Sequence, residues 1–499
     1  MTPWHNQRIW RLAPFEFDVA TFLKHWQAWR SDPQRPDLLH VLAWTPQPTS
    51  PAECLAVSQH TAYEDLGQEL AAQCWGLLPG LHRLRLNQGQ VHLSLFIGAR
   101  DPFADLLAPL GDAACTPVDS TSEPVIVIGS GIAGAASARA LAERGWSVRV
   151  LDAGATPAAG ASGLPVGLVA PHTSPDDARM SQLSRVGVRC MHQTMQRLLV
   201  QGQDWAPSGV QERRLPGKTR KGGAPSSWST PELAPAASAW TRPDTACEHA
   251  LWHDKGAWVK PAALVKALLD HPRIEWQGHC AIDALQHDAP NQMWQLIQGG
   301  SVMAQSRRVV VAAGPRSAAL MASASNQPPP IQPLRGQLSW GWMRDTPNWV
   351  GPAHPVNGNG SFISHVPTPQ GLAWYAGSTF DRHRATPDLL ESDHQDNFSR
   401  LQTLLPDTAQ NLASHFENHT VQGWANVRAS VPDRLPLVGA VAGAPQGLWT
   451  VCALGSRGLT LGVLCGELLA GLWHNEPLAL PPQLMQALNP HRFANPVQP

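Results

Sequence analysis

The sequence predicts an α/β fold with three parts: a central strand–helix–strand unit, an antiparallel sheet inserted later in the chain, and a small α/β module at the start. Three observations support this prediction. Residues 124–152 read as a strand, a glycine turn, a helix and a second strand. Residues 448–473 repeat the order strand, glycine turn and apolar helix. Segments 334–342, 362–366 and 372–377 have the pattern of antiparallel strands.

The first unit has the pattern of a dinucleotide-binding motif. Gly129, Gly131 and Gly134 follow the apolar strand 125–128, and Asp152 ends the second strand. In Rossmann-like units the three glycines allow a tight turn, close approach to a pyrophosphate and close helix packing, while the acid accepts hydrogen bonds from a ribose hydroxyl. A glycine turn alone is a weak signal, but this complete order predicts dinucleotide binding. The alternative is a Rossmann-like scaffold that binds nothing.

Composition limits the class of protein. A length of 499 residues suggests two to four domains, and a net charge of −1 gives no global attraction to nucleic acid or membrane. The eight cysteines are scattered without a CxxC pair or zinc spacing, so we expect reduced thiols and no metal site. No apolar run is long enough to span a membrane and no signal-peptide pattern is present, so we expect a cytoplasmic, soluble protein without a membrane partner.

The N-terminal residues predict a small module without a cofactor site. We place this module at 1–110, a linker rich in small and polar residues at 111–123, and the main domain at 124–499. A helix at 19–29 and strands at 38–44, 83–86 and 91–97 are expected. Residues 1–66 contain no glycine, and Thr45 and Pro46 follow the first long strand where a ribose-binding acid would stand. Packing or partner contact is therefore the expected role.

Two further stretches predict ligand contacts. The small-residue segment after Asp152 can donate hydrogen bonds to phosphate or ribose, or can form an ordinary turn, and the strand at 309–311 ends in a turn that reaches the same crevice. The turn before the apolar helix 459–473 gathers free N–H groups that stabilise negative charge, or only caps a core helix. The candidate residues are Gly160, Ser162, Gly163, Gly314, Gly455, Ser456, Arg457 and Gly458.

A basic loop follows the helical segment 181–200. Such a loop can contact an RNA backbone, because lysine and arginine neutralise phosphates without reading sequence, but charge runs are also common on solvated faces. Its residues are Arg213, Arg214, Lys218, Arg220 and Lys221.

Several motifs together resemble a known family. They are GASG at 160–163, VVVAAG at 309–314, RGQ at 335–337, AGSTFDRHR at 376–384, VRASVPDRLPLVG at 427–439 and ALGSRGL at 453–459. With the first glycine motif they resemble the FAD-dependent amine oxidases related to D-amino acid oxidase and glycine oxidase. They more closely resemble the oxidoreductase half of the bifunctional bacterial enzymes of tRNA 5-methylaminomethyl-2-thiouridine biosynthesis. The resemblance runs from about Pro124 to near the C-terminus.

The resemblance implies a fold, a cofactor and a reaction. FAD would be held by segments at about 124–215, 250–320 and 424–475, beside a substrate sheet at about 330–420. The implied reaction oxidises the carboxymethylaminomethyl group of the tRNA wobble uridine, releases glyoxylate and leaves the aminomethyl group, with molecular oxygen as acceptor. Arg428 matches the family's carboxylate-binding arginine, and Arg457 is either a second catalytic candidate near the flavin ring or a surface residue on a tight turn. We expect no general base, because hydride transfer can start from a neutral amine.

The first module resembles a fragment of the methyltransferase half of the same enzymes. The resemblance covers residues 21–100, but the glycine-rich S-adenosylmethionine loop, the ribose-binding acid and a later aspartate motif are missing. We therefore predict no methyltransferase activity and a remnant kept for packing or tRNA contact. Whether a separate methyltransferase acts as a partner stays open.

Two alternative functions remain beside the tRNA oxidase. One is an FAD oxidase of free glycine, sarcosine or other small amino acids, and the other is a non-catalytic tRNA-binding flavoprotein. A disulfide reductase is disfavoured because no cysteine pair stands near the first unit. An NAD dehydrogenase would leave the glycine turn at 455–458 without a role.

Overall fold

The computed structural model describes residues 4, 7–108, 123–214, 225–245, 247 and 249–494. Two compact units are formed, the first by Met1–Ser122, Ala224–Trp240 and Leu468–Gln486 and the second by Glu123–Gly223, Thr241–Glu467 and Ala487–Pro499. The predicted linker lies, apart from Glu123, outside the described residues. None of the helices described is both long and apolar enough to cross a membrane.

The first unit contains the α/β module expected from the sequence. Its sheet has the order β1-β3-β5-β4 with β2 paired to β3, and all pairs are parallel except β4 with β5. Its elements before residue 108 are β1 (Ile9–Arg11), β2 (Phe15–Glu16), α1 (Val19–Ser31), β3 (Leu38–Thr45), α2 (Pro51–Ser58), α3 (Glu64–Gln73), β4 (Gly80–Leu86), β5 (Val91–Ile97) and α4 (Phe103–Leu107).

The sequence explains the start and the packing of α1. The Asp18 side chain accepts a hydrogen bond of 2.8 Å from the Thr21 N–H, which caps the helix. Phe22, Trp26 and Trp29 follow at helical spacing and pack in the same apolar cluster as β3. Burial of these large rings stabilises a module that has no cofactor motif.

The first unit also takes in segments far along the chain. The Trp240 Nε1–H donates to the Gly76 carbonyl over 2.7 Å, and the Trp75 and Trp240 rings lie 4.8 Å apart. Arg83 donates to the carbonyl of Pro477. The unit is therefore built from more of the chain than the predicted 1–110. The sequence did not predict the additional segments, because such long-range contacts leave no local pattern.

The remaining helices and strands follow in chain order. They are β6 (Val125–Ile128), α5 (Ile132–Glu143), β7 (Val148–Leu151), β8 (Gly167–Val169), α6 (Arg179–Leu198), β9 (Trp205–Ala206), β10 (Val210–Arg213), α7 (Ala234–Ser238), β11 (Arg242–Pro243), β12 (Ala250–His253), β13 (Ala257–Val259), α8 (Pro261–Leu269), β14 (Ile274–Gln277), β15 (Ala284–Asp288), β16 (Met293–Gln298), β17 (Ser301–Ser306), β18 (Val309–Val311), α9 (Ser317–Ala324), β19 (Gln332–Trp342), β20 (Val356–Gly358), β21 (Gly360–Thr368), β22 (Gly371–Gly377), α10 (Glu391–Leu404), α11 (Pro406–Glu417), β23 (Gln422–Ser430), β24 (Leu437–Ala440), β25 (Leu448–Cys452), α12 (Gly458–Trp473) and α13 (Pro482–Gln486).

A six-stranded sheet of the second unit confirms the Rossmann-like prediction. Its order is β14-β7-β6-β18-β25-β24, and every pair is parallel except β24 with β25. The unit β6–α5–β7 lies at its centre. The strands β6 and β18 are wholly apolar and buried, as expected for parallel strands covered on both faces.

An eight-stranded sheet provides the predicted antiparallel layer. Its order is β11-β12-β10-β20-β21-β22-β19-β23, with only β10 and β20 parallel among its pairs. The sheet is wider than the predicted 330–420. The strands β10, β12 and β23 join it from segments expected to hold the cofactor, and β11 joins it from between two of those segments. Small sheets of order β8-β13-β9 and β15-β16-β17 complete the unit.

Candidate active site

A cavity of about 580 Å³ opens at the carboxyl ends of β6, β7, β18 and β25. This edge is where open α/β sheets bind ligands, since the strand order reverses there. Most residues predicted from separate motifs line this one cavity: Gly129, Gly131, Asp152, Gly160, Ser162, Gly314, Arg428, Gly455 and Gly458. Gly134, Gly163, Ser456 and Arg457 lie outside its lining.

The glycines of the first turn are required by close contacts. Gly129 has φ +104°, and a Cβ there would lie 2.5 Å from the Ala312 carbonyl oxygen of β18's extension. A Cβ on Gly134 would lie 1.8 Å from the Gly129 carbonyl oxygen. Gly129 thus permits the turn and Gly134 permits α5 to pack against it, while Gly131 faces the cavity.

Asp152 is fixed at the end of β7. Its carboxylate accepts hydrogen bonds from the Ser130 N–H, from the Ser130 hydroxyl at 2.8 Å and from the Gly154 N–H at 2.7 Å. Three donors from two turns orient a carboxylate that also lines the cavity. This arrangement can present an acceptor to a ligand hydroxyl.

Ser162 meets the first turn of α5. Its Oγ accepts a hydrogen bond of 2.9 Å from the Ile132 N–H, so its own proton is available to a ligand in the cavity. Gly160 leaves open space, since no heavy atom lies within 4 Å of a Cβ built there. A Cβ on Gly163 would instead lie 2.8 Å from the Ala158 carbonyl oxygen, so Gly163 shapes the turn.

Arg428 brings a partly buried cation to the cavity wall. It lies on β23 opposite Leu334, and its Nη2 donates to the Thr379 carbonyl at 3.3 Å and the Ser378 hydroxyl at 3.5 Å. Burial lowers the pKa of Arg428 to about 10, so it is still charged at neutral pH. Within the described ranges, no carboxylate oxygen lies within 4.0 Å of it. Desolvation of a cation without an anion is costly even where burial is partial, so an anionic ligand is expected here.

The RGQ motif makes room for Arg428. A Cβ on Gly336 would lie 2.0 Å from Arg428 Nη2 and 2.8 Å from the Thr379 carbonyl oxygen. Gly336 pairs with Asn426 across β19 and β23, which makes Arg428 its diagonal neighbour. The sequence marks this motif only as part of a family resemblance, because the register of β19 and β23, which gives Gly336 its role, cannot be read from a local pattern.

The same motif anchors the loop 378–390, which we call the rim loop. Arg335 donates to the Asp393 carboxylate and the Asp388 carbonyl. Gln337 exchanges two hydrogen bonds of 2.8 Å with the Leu390 backbone. Ala385 and Pro387 of this loop line the cavity. Two buried side chains therefore fix a loop beside the site.

Only two of the four residues of the GSRG turn, 455–458, line the cavity. Gly455, with φ +55°, and Gly458 line the cavity, whereas Ser456 is exposed and Arg457 lies outside the lining. Burial, and then the nearby Arg434, lower the pKa of Arg457. A role for Arg457 beside a ligand stays a prediction.

Three potential metal ligands, His40, His92 and Glu476, meet in the first unit, with donor atoms within 4.8 Å of one another. The sequence predicts no metal site, and residues this far apart in the chain form no spacing motif. Arg83 lies 3.2 Å from the His92 Nδ1, and its positive charge opposes a cation. We assign no ion to this cluster.

The basic loop lies partly outside the described residues, since Lys218, Arg220 and Lys221 belong to the segment 215–224. Arg213 donates to the Gln211 side chain at 2.7 Å and to the Leu404 carbonyl at 3.0 Å. Arg214 lies 3.6 Å from a carboxylate of Glu212. These two arginines therefore already have partners within the protein.

The chain matches a known protein family and is similar in sequence to known proteins. The family model described as FAD dependent oxidoreductase (DAO) matches residues 124–472. The tRNA 5-methylaminomethyl-2-thiouridine biosynthesis bifunctional protein MnmC of Polaromonas naphthalenivorans is 38% identical, over 99% of this chain and 92% of its own length. The protein of the same name from Paracidovorax citrulli is also 38% identical, over 98% and 93%.

Two solved structures share the fold. Glycine oxidase from Geobacillus kaustophilus matches with a TM-score of 0.52 at 18% identity, over 70% of this chain and 94% of its own. Iminodiacetate oxidase from Chelativorans matches with a TM-score of 0.54 at 18% identity, over 73% and 98%.

Proposed function

Because this chain belongs to the FAD-dependent oxidoreductases and to the bifunctional proteins of tRNA 5-methylaminomethyl-2-thiouridine biosynthesis, we propose that it is an oxidase of the tRNA wobble uridine. Its substrate would be 5-carboxymethylaminomethyl-2-thiouridine in tRNA, and its products the aminomethyl base and glyoxylate. A tRNA substrate implies a cytoplasmic site of action. The observation that carries the proposal is the partly buried Arg428 in the cavity wall, which has no carboxylate beside it among the described residues.

FAD is the cofactor of this family, and the cavity residues fit it. Asp152 would accept the ribose hydroxyl, while Gly131, Ser162 and the start of α5 would face the pyrophosphate. The open space at Gly160 and the close contacts at Gly129 are consistent with backbone that approaches a ligand. When bound, FAD accepts a hydride from carbon and is reoxidised by molecular oxygen.

Arg428 would bind and orient the substrate. The reacting group is an N-substituted glycine, in which one methylene joins the amine to the carboxylate. Pairing of that carboxylate with a guanidinium fixes its position and direction, and a fixed methylene reacts faster than a mobile one. The carboxylate would also supply the anion that Arg428 lacks.

No side chain in the described lining is suited to act as a general base. Its titratable members are Asp152, Cys280, Arg316, Arg428 and Cys452. Asp152 is engaged by the turns after β6 and β7, and burial raises the pKa of the Cys452 thiol, which stays protonated at neutral pH. The amine would therefore enter neutral. Water then adds to the oxidised C=N group, and cleavage of that carbon–nitrogen bond gives the primary amine and glyoxylate.

Flavin reduction tests the proposal. Purified holoprotein is mixed anaerobically with tRNA carrying carboxymethylaminomethyl-uridine, and the flavin band at about 450 nm is followed together with glyoxylate release. The proposal expects bleaching and stoichiometric glyoxylate. Bleaching by glycine alone would indicate an oxidase of small amino acids, and a flavin inert to both would indicate a non-catalytic protein.

We also propose that the first unit transfers no methyl group. The strand β3 leads into Thr45 and Pro46 without an acid, and no glycine precedes residue 67. The alignment with the Polaromonas relative spans 597 positions, more than the 499 residues of this chain, so parts of that protein have no counterpart here. Incubation with labelled S-adenosylmethionine and tRNA carrying the aminomethyl base should leave the RNA unlabelled; labelled RNA would refute this proposal.

A further inference from the structure

Phe380 is an exposed aromatic side chain beside the cavity. It retains 51% of its surface, although large apolar side chains are usually covered. The Arg428 guanidinium carbon lies 4.9 Å from its ring centroid and that of Arg400, on α10, lies 6.0 Å away. One of these arginines lines the cavity, so the ring adjoins the expected position of the substrate carboxylate.

The backbone around Phe380 is fixed. The Thr379 N–H donates to the Gln337 carbonyl at 3.0 Å, and Asp381 exchanges hydrogen bonds of 2.8 and 3.0 Å with the Arg335 backbone. Exposure is therefore not a result of a loose loop. The fold holds an aromatic ring in an accessible position.

Charge around the ring favours a nucleic acid. Arg400 has no carboxylate oxygen within 4.0 Å among the described residues, and it is only partly buried. Proteins that bind single-stranded nucleic acid combine aromatic rings, on which bases stack, with cations that contact phosphates. Phe380 and Arg400 provide both parts within 6.0 Å.

Substrate dimensions bring the base to this ring. Four bonds separate the carboxylate carbon from ring carbon 5 of the proposed uridine, a span of roughly 5 Å at ordinary bond lengths. A carboxylate paired with Arg428 stands roughly 3–4 Å from the guanidinium, so this span puts the base roughly 8–9 Å from Arg428. A base stacked about 3.5 Å from a ring whose centroid lies 4.9 Å from Arg428 would lie at a similar distance. Resting on the proposed function, we infer that Phe380 stacks against the substrate nucleobase and that Arg400 contacts an adjacent phosphate.

RNA binding without turnover tests this inference. The flavin is first reduced anaerobically with dithionite, so that substrate binds without reacting, and the Kd of a labelled anticodon stem-loop carrying carboxymethylaminomethyl-uridine is measured by fluorescence anisotropy. Phe380→Leu should raise the Kd roughly 10-fold to 100-fold, as expected for loss of one stacked base. Phe380→Trp should retain tight binding. Leu372→Ala, which removes an exposed apolar side chain on β22, is the matched control and should change nothing.

The salt dependence of the Kd distinguishes the proposed phosphate contact of Arg400 from the proposed stacking of Phe380. Arg400→Gln should lessen the slope of log Kd against log salt by about 0.7, the value for one phosphate contact to single-stranded RNA, while Phe380→Leu should leave the slope unchanged. An unchanged Kd in Phe380→Leu, a failure of Phe380→Trp to retain binding, or an equal effect of Leu372→Ala would overturn the inference. An unchanged slope in Arg400→Gln would overturn the phosphate contact.

The experiments distinguish failure of the proposed oxidase function from failure of the stacking inference. If tRNA does not reduce the wild-type flavin but Phe380→Leu still weakens RNA binding, the stacking inference stands and the oxidase proposal falls. If tRNA reduces the flavin and Phe380→Leu binds as wild type does, the oxidase stands and the stacking inference falls.

Discussion

At the scale of single residues, the most informative feature is Arg428, a cation in the cavity wall with no carboxylate beside it among the described residues. The sequence predicts a substrate-binding role for Arg428 only through a family resemblance, since arginines are common on protein surfaces. The structure adds what the sequence could not contain: its burial, its lowered pKa and the lack of a described carboxylate beside it. These properties depend on which strands pair, and pairing partners lie far apart in the chain.

Removal of the charge should impair substrate binding. Arg428→Met should lower kcat/KM for the modified tRNA by at least about 30-fold, because loss of one partner of a buried charge pair costs about 2–5 kcal/mol. Steady-state kinetics at several tRNA concentrations provide the measurement. Arg344→Met, which changes an exposed arginine outside the cavity lining, is the matched control. Equal kinetics for Arg428→Met and wild type would remove Arg428 from the site.

The pKa of Arg428 predicts a pH limit for anion binding. The free protein loses this charge as pH rises through about 10, whereas a bound carboxylate favours the charged form and raises the pKa of Arg428 in the complex. Affinity for a small carboxylate such as N-acetylglycine should therefore be constant below this pH and fall above it. Perturbation of the flavin absorbance reports the binding. Affinity that is independent of pH up to 11, about one unit above the pKa of the free protein, would contradict this assignment.

At the scale of elements, most helices and strands were predictable because their apolar periodicity is local. The helix α6, the strand β3 and the unit β6–α5–β7 all appear where the sequence indicates them. Strand order was less accessible. The eight-stranded sheet includes β10 and β12, which lie in segments assigned to the cofactor, and the sequence did not predict this because neither register nor long-range pairing is encoded in a local pattern.

The register of β19 and β23 predicts an indirect role for Gly336. Gly336→Ala should displace the Arg428 guanidinium, because the new Cβ would lie 2.0 Å from its present Nη2 position, and should raise the KM for tRNA. A double-mutant cycle provides the test. If the glycine acts only through Arg428, then Gly336→Ala should add no further loss in the Arg428→Met background. Fully additive losses would show that the glycine acts elsewhere.

The rim loop predicts a stability effect at Arg335. Arg335→Met leaves the buried Asp393 carboxylate without its cation and releases the Asp388 carbonyl, so we expect a loss of about 3–5 kcal/mol in the free energy of unfolding. Urea denaturation measures it. The exposed control Arg344→Met should stay within about 0.5 kcal/mol of wild type. Similar losses in both variants would mean that the buried pair stabilises nothing specific.

At the scale of the whole molecule, the sequence predicts a single boundary between two modules, whereas each unit of the structure is formed by several segments of the chain. Residue composition changes near residue 123, which predicts a cut between a remnant and an oxidoreductase. The structure groups Ala224–Trp240 and Leu468–Gln486 with the first unit instead. Composition detects a linker but cannot detect a segment that leaves one unit and completes another.

This grouping predicts that the oxidoreductase cannot be cut out at Pro124. A chain of residues 124–499 would lose the partners that bury Trp240, and the Gly76 carbonyl that accepts its N–H would be gone. Glu476, almost fully buried 3.3 Å from His40 Nε2, would be left without that neighbour. Loss of these contacts and exposure of the tryptophan oppose folding, so the truncated chain should have a lower Tm and a greater tendency to aggregate than the full chain. Differential scanning calorimetry and light scattering measure both properties, and replacement of Trp240 by alanine in the full chain should reproduce part of the loss.

A truncated chain as stable as the full one would show that residues 1–123 are dispensable for the fold, and would leave tRNA contact as their remaining proposed role.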